Sequence, residues 1–99
     1  MFNKIIKAKK LINQHIINTP SGLSHALSEL TGRSIFVKYE NKQHTGSFKF
    51  RGACNAVFSV GVSNKPILAY SSGNHAQAVA LAARLSGRKA TIVMPEDAP

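Results

Sequence analysis

Acidic residues are scarce: four Asp and Glu stand against 13 Lys and Arg in 99 residues, a net charge of +9. Cysteine occurs once, as Cys54, and tryptophan not at all. A single cysteine excludes an internal disulfide framework and suits a reducing compartment, so a cytoplasmic location is expected. No apolar run approaches the ~20 residues that a membrane-spanning helix needs, and no membrane partner is expected. The opening run Met1-Phe2-Asn3-Lys4-Ile5-Ile6-Lys7 lacks the uninterrupted apolar stretch and small-residue cleavage site of a secretory leader. Taken alone, the positive charge suggests an anionic partner such as nucleic acid. Its distribution argues otherwise. Lys4, Lys7, Lys9, Lys10 and Lys38 are spread along the first part of the chain, and the five Phe and two Tyr form no interleaved basic–aromatic strip. No nucleic-acid partner is therefore expected, and the balancing acidic residues are expected in a part of a longer protein.

What is present is enough for a core, with 43% hydrophobic residues. Apolar side chains at 2, 5, 8, 12 and 16 predict a helix over 2–17 with a basic outer face. Asn18-Thr19-Pro20 ends it, because the residue before proline avoids the helical region. Leu23, Ala26, Leu27 and Leu30 predict a second helix, stopped at Thr31-Gly32. Ile35, Phe36, Val37 and Tyr39 predict a strand over 34–39. Ser47 is placed to cap a helix running to about Val60. Strands over 67–70 and 90–94 flank an alanine-rich helix over 74–86 that Gly87 terminates. Alternation of strands and helices at these lengths implies right-handed crossovers and a parallel sheet of three strands. So small a parallel sheet implies the opening portion of a larger α/β domain.

Two runs carry the chemistry. Ligands of open parallel sheets collect at the carboxyl ends of strands, where both runs fall. Ser71-Ser72-Gly73-Asn74-His75 offers hydroxyls, a permissive glycine and the free N–H groups of a helix start, suited to a carboxylate or phosphate. An ordinary helix cap without ligand is the commoner meaning of such a run, and His75 alone says little. In Gly46-Ser47-Phe48-Lys49-Phe50-Arg51-Gly52-Ala53, Lys49 falls in the first helical turn, where the macrodipole disfavours a cation. Phe48 and Phe50 could add an apolar wall. Both effects favour the free amine that imine chemistry requires. A snorkelling surface lysine is the commoner alternative, and Arg51 reads as a salt-bridge residue.

Together these runs resemble the serine/threonine dehydratase family, including serine racemase, of pyridoxal-phosphate enzymes with the tryptophan-synthase-β type of fold. The resemblance also takes in Thr19-Pro20, Lys38-Tyr39-Glu40, Gln43 and Ala90-Thr91-Ile92-Val93-Met94-Pro95. It implies residues 1–99 as a truncated, N-terminal portion of a catalytic domain with a three-layer α/β/α parallel sheet. It implies pyridoxal 5'-phosphate as cofactor and Lys49 as its Schiff-base lysine. Phe48 would pack on the cofactor ring, and Asn74 would bond its phenolic oxygen. Ser71, Asn74 and His75 would hold a substrate carboxylate, and Ser72 would act as acid or base opposite Lys49. The implied reaction of the complete protein is deamination of a hydroxy amino acid, such as L-threonine or L-serine, to a 2-oxo acid and ammonia. A racemase of the same family and a catalytically inactive fragment are the alternatives. The family's glycine-rich phosphate loop is missing, since no Gly-Gly pair occurs. The residue that contacts the pyridine nitrogen and the racemase cation ligands are missing too, so no metal site is expected. The complete protein is expected to be a homo-oligomer.

Overall fold

A computed structural model describes residues 1–99. The elements are α1 (Phe2–Ile12), β1 (Ser21–Leu23), α2 (His25–Thr31), β2 (Phe36–Lys38), α3 (Lys49–Phe58), β3 (Ile67–Tyr70), α4 (Asn74–Leu85) and β4 (Ala90–Val93). Two short 3-10 turns, Glu40–Lys42 and His44–Gly46, join β2 to α3. The fold class is α/β with a parallel sheet, as expected.

The strand arrangement corrects one expectation. The parallel sheet has two strands, β3 and β4, in the register Ile67↔Ala90 to Tyr70↔Val93. The strand expected at 34–39 is β2, and it does not join them. It pairs antiparallel with β1, Leu23 opposite Phe36 and Ser21 opposite Lys38. The connection through α2 is therefore a return, not a crossover. It is fixed by Ser24 N–H donating to the Ile35 carbonyl and Ile35 N–H donating to Ser28 Oγ. Leu23, expected to begin a helix, ends β1. Ser24 then caps α2 through its Oγ, and Gly32 closes that helix at φ 66°. α1 also stops short of the expected Ile17. The chain tightens at His15, whose ring stacks on Phe58 at 4.0 Å.

The core lies between α3, α4 and one face of the parallel pair. Phe50, Ala53, Cys54 and Val57 of α3 meet Ala78, Val79 and Ala82 of α4, with Ile12 beside them and Ile67, Ala69 and Ile92 packed below. The positions 50, 53, 54 and 57 follow the i, i+3, i+4, i+7 spacing of one helix face. Small side chains at 53, 78 and 82 let the two helices approach closely. The opposite face of the strands, with Leu68, Tyr70 and Val93, is exposed. The chain is accordingly flat, 50 × 39 × 21 Å. Cys54 is fully buried, and that burial pushes its thiol pKa up to about 11.

Phe48 and Phe50 do not share a wall around Lys49. Phe50 is 0% exposed and points into the core, whereas Phe48 is 61% exposed. The helix phase separates them. Truncating Phe50 to Ala should cost about 3–5 kcal/mol, the range for emptying a buried aromatic site. Phe48→Ala should cost less than about 1 kcal/mol in the cofactor-free protein. Urea unfolding of the two variants checks this ranking.

Candidate active site

The site is built where two strand ends turn into helix N-termini. After β2 the chain passes through both 3-10 turns to Ser47 and Phe48, and Lys49 is the first residue of α3. Ser47 is buried, in extended backbone, and its Oγ accepts from Lys49 N–H at 3.3 Å, as a helix cap does. After β3, Ser71 to Gly73 lead into Asn74, the first residue of α4. Ser71 Oγ accepts from Gly73 N–H at 3.2 Å, so this serine braces its own turn. No side chain caps α4, which leaves its first-turn N–H groups free for an anionic group.

A cavity of about 500 Å³ lies between α3, β3 and the N-terminal half of α4. Ala53, Val57, Ile67, Ala69 and Val79 give it an apolar floor, and Phe48, Lys49 and His75 also line it. Lys49 Nζ lies 5.3 Å from the centre of the Phe48 ring, within cation–π range. Of the residues singled out from sequence, Phe48, Lys49 and His75 thus come to one cavity. Ser71, Ser72 and Asn74 adjoin His75 but do not line it. No group of three or more His, Cys, Asp or Glu gathers as a metal site, and no helix is long and apolar enough to cross a membrane.

Arg51, read from the sequence as a salt-bridge residue, finds in Glu40 a partner that sequence reasoning did not identify. Arg51 donates from Nε to Glu40 Oε2 at 2.8 Å and from Nη2 to Oε1 at 2.9 Å, a bidentate pair. Arg51 Nη2 also reaches Thr19 Oγ1 at 3.2 Å and the Ile17 carbonyl at 3.4 Å. The Thr19 hydroxyl donates to Glu40, and Lys38 Nζ donates to the Thr19 carbonyl at 3.0 Å. Gln43 is buried; its side chain bonds both Ile17 N–H, at 3.0 Å, and the Ile17 carbonyl, at 2.9 Å. The Arg51 hydrogen bond is the main cause holding the Glu40 carboxyl at a pKa of about 2, against an opposing desolvation effect. The same bond raises Arg51 above its ordinary value. A cation in a first helical turn needs such a partner, and that was the available signal.

A profile of the family described as pyridoxal-phosphate dependent enzyme matches residues 12–99. The chain is 49% identical over 100 residues to an L-threo-3-hydroxyaspartate ammonia-lyase of Pseudomonas, covering 99% of this chain and 31% of that protein. It is 51% identical over 98 residues to the catabolic L-threonine dehydratase TdcB of Staphylococcus aureus, covering 96% of this chain and 28% of that one. The crystal structure of serine racemase from Dictyostelium discoideum superposes with a TM-score of 0.91 at 42% identity, over 100% of this chain and 33% of that one. The chain therefore spans about a third of the length of the relatives it matches.

The Glu40 pair has a pH signature. Its folded pKa of about 2 lies below the ordinary 4.5, so its stabilisation is complete above about pH 4.5 and is lost as pH falls toward 2. Solvent screening reduces the contribution at neutral pH to about 0.5–1 kcal/mol. Glu40→Gln should lose this amount at pH 7 and converge on the parent stability near pH 2. Denaturant titrations at several pH values measure it.

Proposed function

The chain belongs to the family of pyridoxal-phosphate-dependent enzymes, and from that premise we propose that the full-length protein is an ammonia-lyase. Its substrate would be a hydroxy amino acid such as L-threonine or L-serine, released as a 2-oxo acid and ammonia. Residues 1–99 would be the N-terminal part of its catalytic domain. The observation that carries this reading is Lys49 lining an apolar cavity together with His75, its amine 5.3 Å from the centre of the Phe48 ring.

The residues present fit the cofactor. The cavity offers a primary amine for its aldehyde, an aromatic face for its ring and an apolar floor. Over Gly52 the space is open, since a Cβ built there meets no atom within 4 Å. Lys49 would hold the group, Phe48 would pack on it, and Asn74 would bond its phenolic oxygen. When bound, the cofactor supplies the electron withdrawal that acidifies the substrate Cα–H. Ser71, Asn74 and His75, at the uncapped start of α4, would hold the substrate carboxylate. That anchor would direct Cα–H toward Lys49, whose amine, once free, would take the proton as general base. The β-hydroxyl would take up a proton and leave as water, and hydrolysis of the released enamine would give the 2-oxo acid and ammonia.

Racemisation is a second reading, supported by the likeness to serine racemase and by Ser72 beside Gly73. Ser72 would return the Cα proton from the other face. The free, buried Cys54 supports a cytoplasmic setting. The exposed apolar strand face supports burial against further protein, and we place the full-length enzyme among homo-oligomers without a nucleic-acid partner.

Lys49→Ala in the full-length protein should abolish the visible absorbance of bound cofactor and lower turnover by more than about 10³-fold. Absorbance spectra and ammonia release measure both. Unchanged absorbance and turnover would sink the proposal.

A further inference from the structure

Lys49 stands between two anchors that grip one segment. On one side, Gln43 holds both backbone groups of Ile17 and also accepts from His44 N–H at 3.1 Å. On the other, Arg51 holds Glu40, Thr19 and the same Ile17 carbonyl. The chain between them does not rest in a relaxed turn. Thr45 takes φ 61°, a left-handed conformation that a β-branched residue adopts only under constraint. Its Oγ1 is buried without a partner. A turn of that kind persists only where its surroundings impose it, and such turns cluster at functional sites. Here the surroundings are the two anchors.

Arg51 itself is electrostatically misplaced in the first turn of α3 unless a carboxylate meets it. Glu40 does so with both oxygens, and Thr19 and Ile17 take the remaining Nη2 contacts. The guanidinium fork fixes both the distance and the rotation of the helix start that carries Lys49.

We propose that Arg51, clamped by Glu40 and Thr19, is a positioning residue that sets the direction of the Lys49 amine across the cavity. The proposal rests on the reading of Lys49 as the cofactor-bearing amine. Arg51 touches neither substrate nor cofactor in this account; it acts through the turn and the helix start. A misplacement of about 1 Å at a reacting group lowers rate about 10²-fold.

The test compares Arg51→Lys, which keeps the charge and loses the fork, with Ile12→Ala, a core truncation away from the cavity, in the full-length protein. Amide hydrogen exchange is measured on the cofactor-free form, and kcat and KM on the loaded form. Arg51→Lys should speed exchange at residues 47–51 selectively and lower kcat about 10–100-fold while changing KM less than about 3-fold. Ile12→Ala should lower the melting temperature without either effect. Unchanged exchange at 47–51 in Arg51→Lys would overturn the proposal, as would equal kcat losses in the two variants. If the parent protein releases no ammonia, the functional reading falls, and the exchange comparison alone then decides for or against the clamp.

Discussion

The ion pair between Arg51 and Glu40 is the contact on which the arrangement of this chain depends. It joins elements that no ladder of backbone hydrogen bonds connects. Glu40 follows β2, Arg51 lies in the first turn of α3, and Thr19 precedes β1. Together with the Gln43–Ile17 bonds, it ties the small antiparallel pair to the start of α3. The pair is half-shielded, bidentate and supplied with extra partners, which distinguishes it from surface ion pairs of negligible worth. The strong depression of the Glu40 pKa is the electrostatic record of the same geometry.

A second constraint sets where the cavity opens. α3 and α4 meet through alanine and Cys54, so their N-termini lie near each other above the edge of β3. The cavity lies beside this contact, between α3 and β3, with Ala53, Val57 and Val79 of the core in its wall. Lys49 and His75 line it because each is within the first two residues of its helix. Packing and placement are thus coupled: the residues that draw the helices together also bring the Lys49 amine and the uncapped start of α4 to one opening.

Much of this was legible in the sequence. The alanine stripe of α4, the Gly87 stop and the β-rich runs of β3 and β4 carry strong local signals, and their alternation gave the parallel pair. Of the two runs after strand ends, Phe48, Lys49 and His75 reach the cavity, while Ser71, Ser72 and Asn74 do not line it. The antiparallel partner of β2 was not legible, because β1 is only Ser21–Leu23, too short for alternation to register. Hydrophobic pattern identifies a strand but not its neighbour, so β2 was assigned to the wrong sheet. The opposite fates of Phe48 and Phe50 were readable in principle: Phe50 shares the 50, 53, 54, 57 stripe and Phe48 does not. The Glu40–Arg51 pair spans eleven positions and two turns, beyond any periodicity.

The central claim is that the amine at the start of α3 is the group that binds the cofactor aldehyde. Borohydride reduction of the full-length protein with pyridoxal phosphate, followed by peptide mass mapping, tests it most directly. The account predicts one stoichiometric label, on Lys49. A stoichiometric label on another lysine, with Lys49 unmodified, would contradict it.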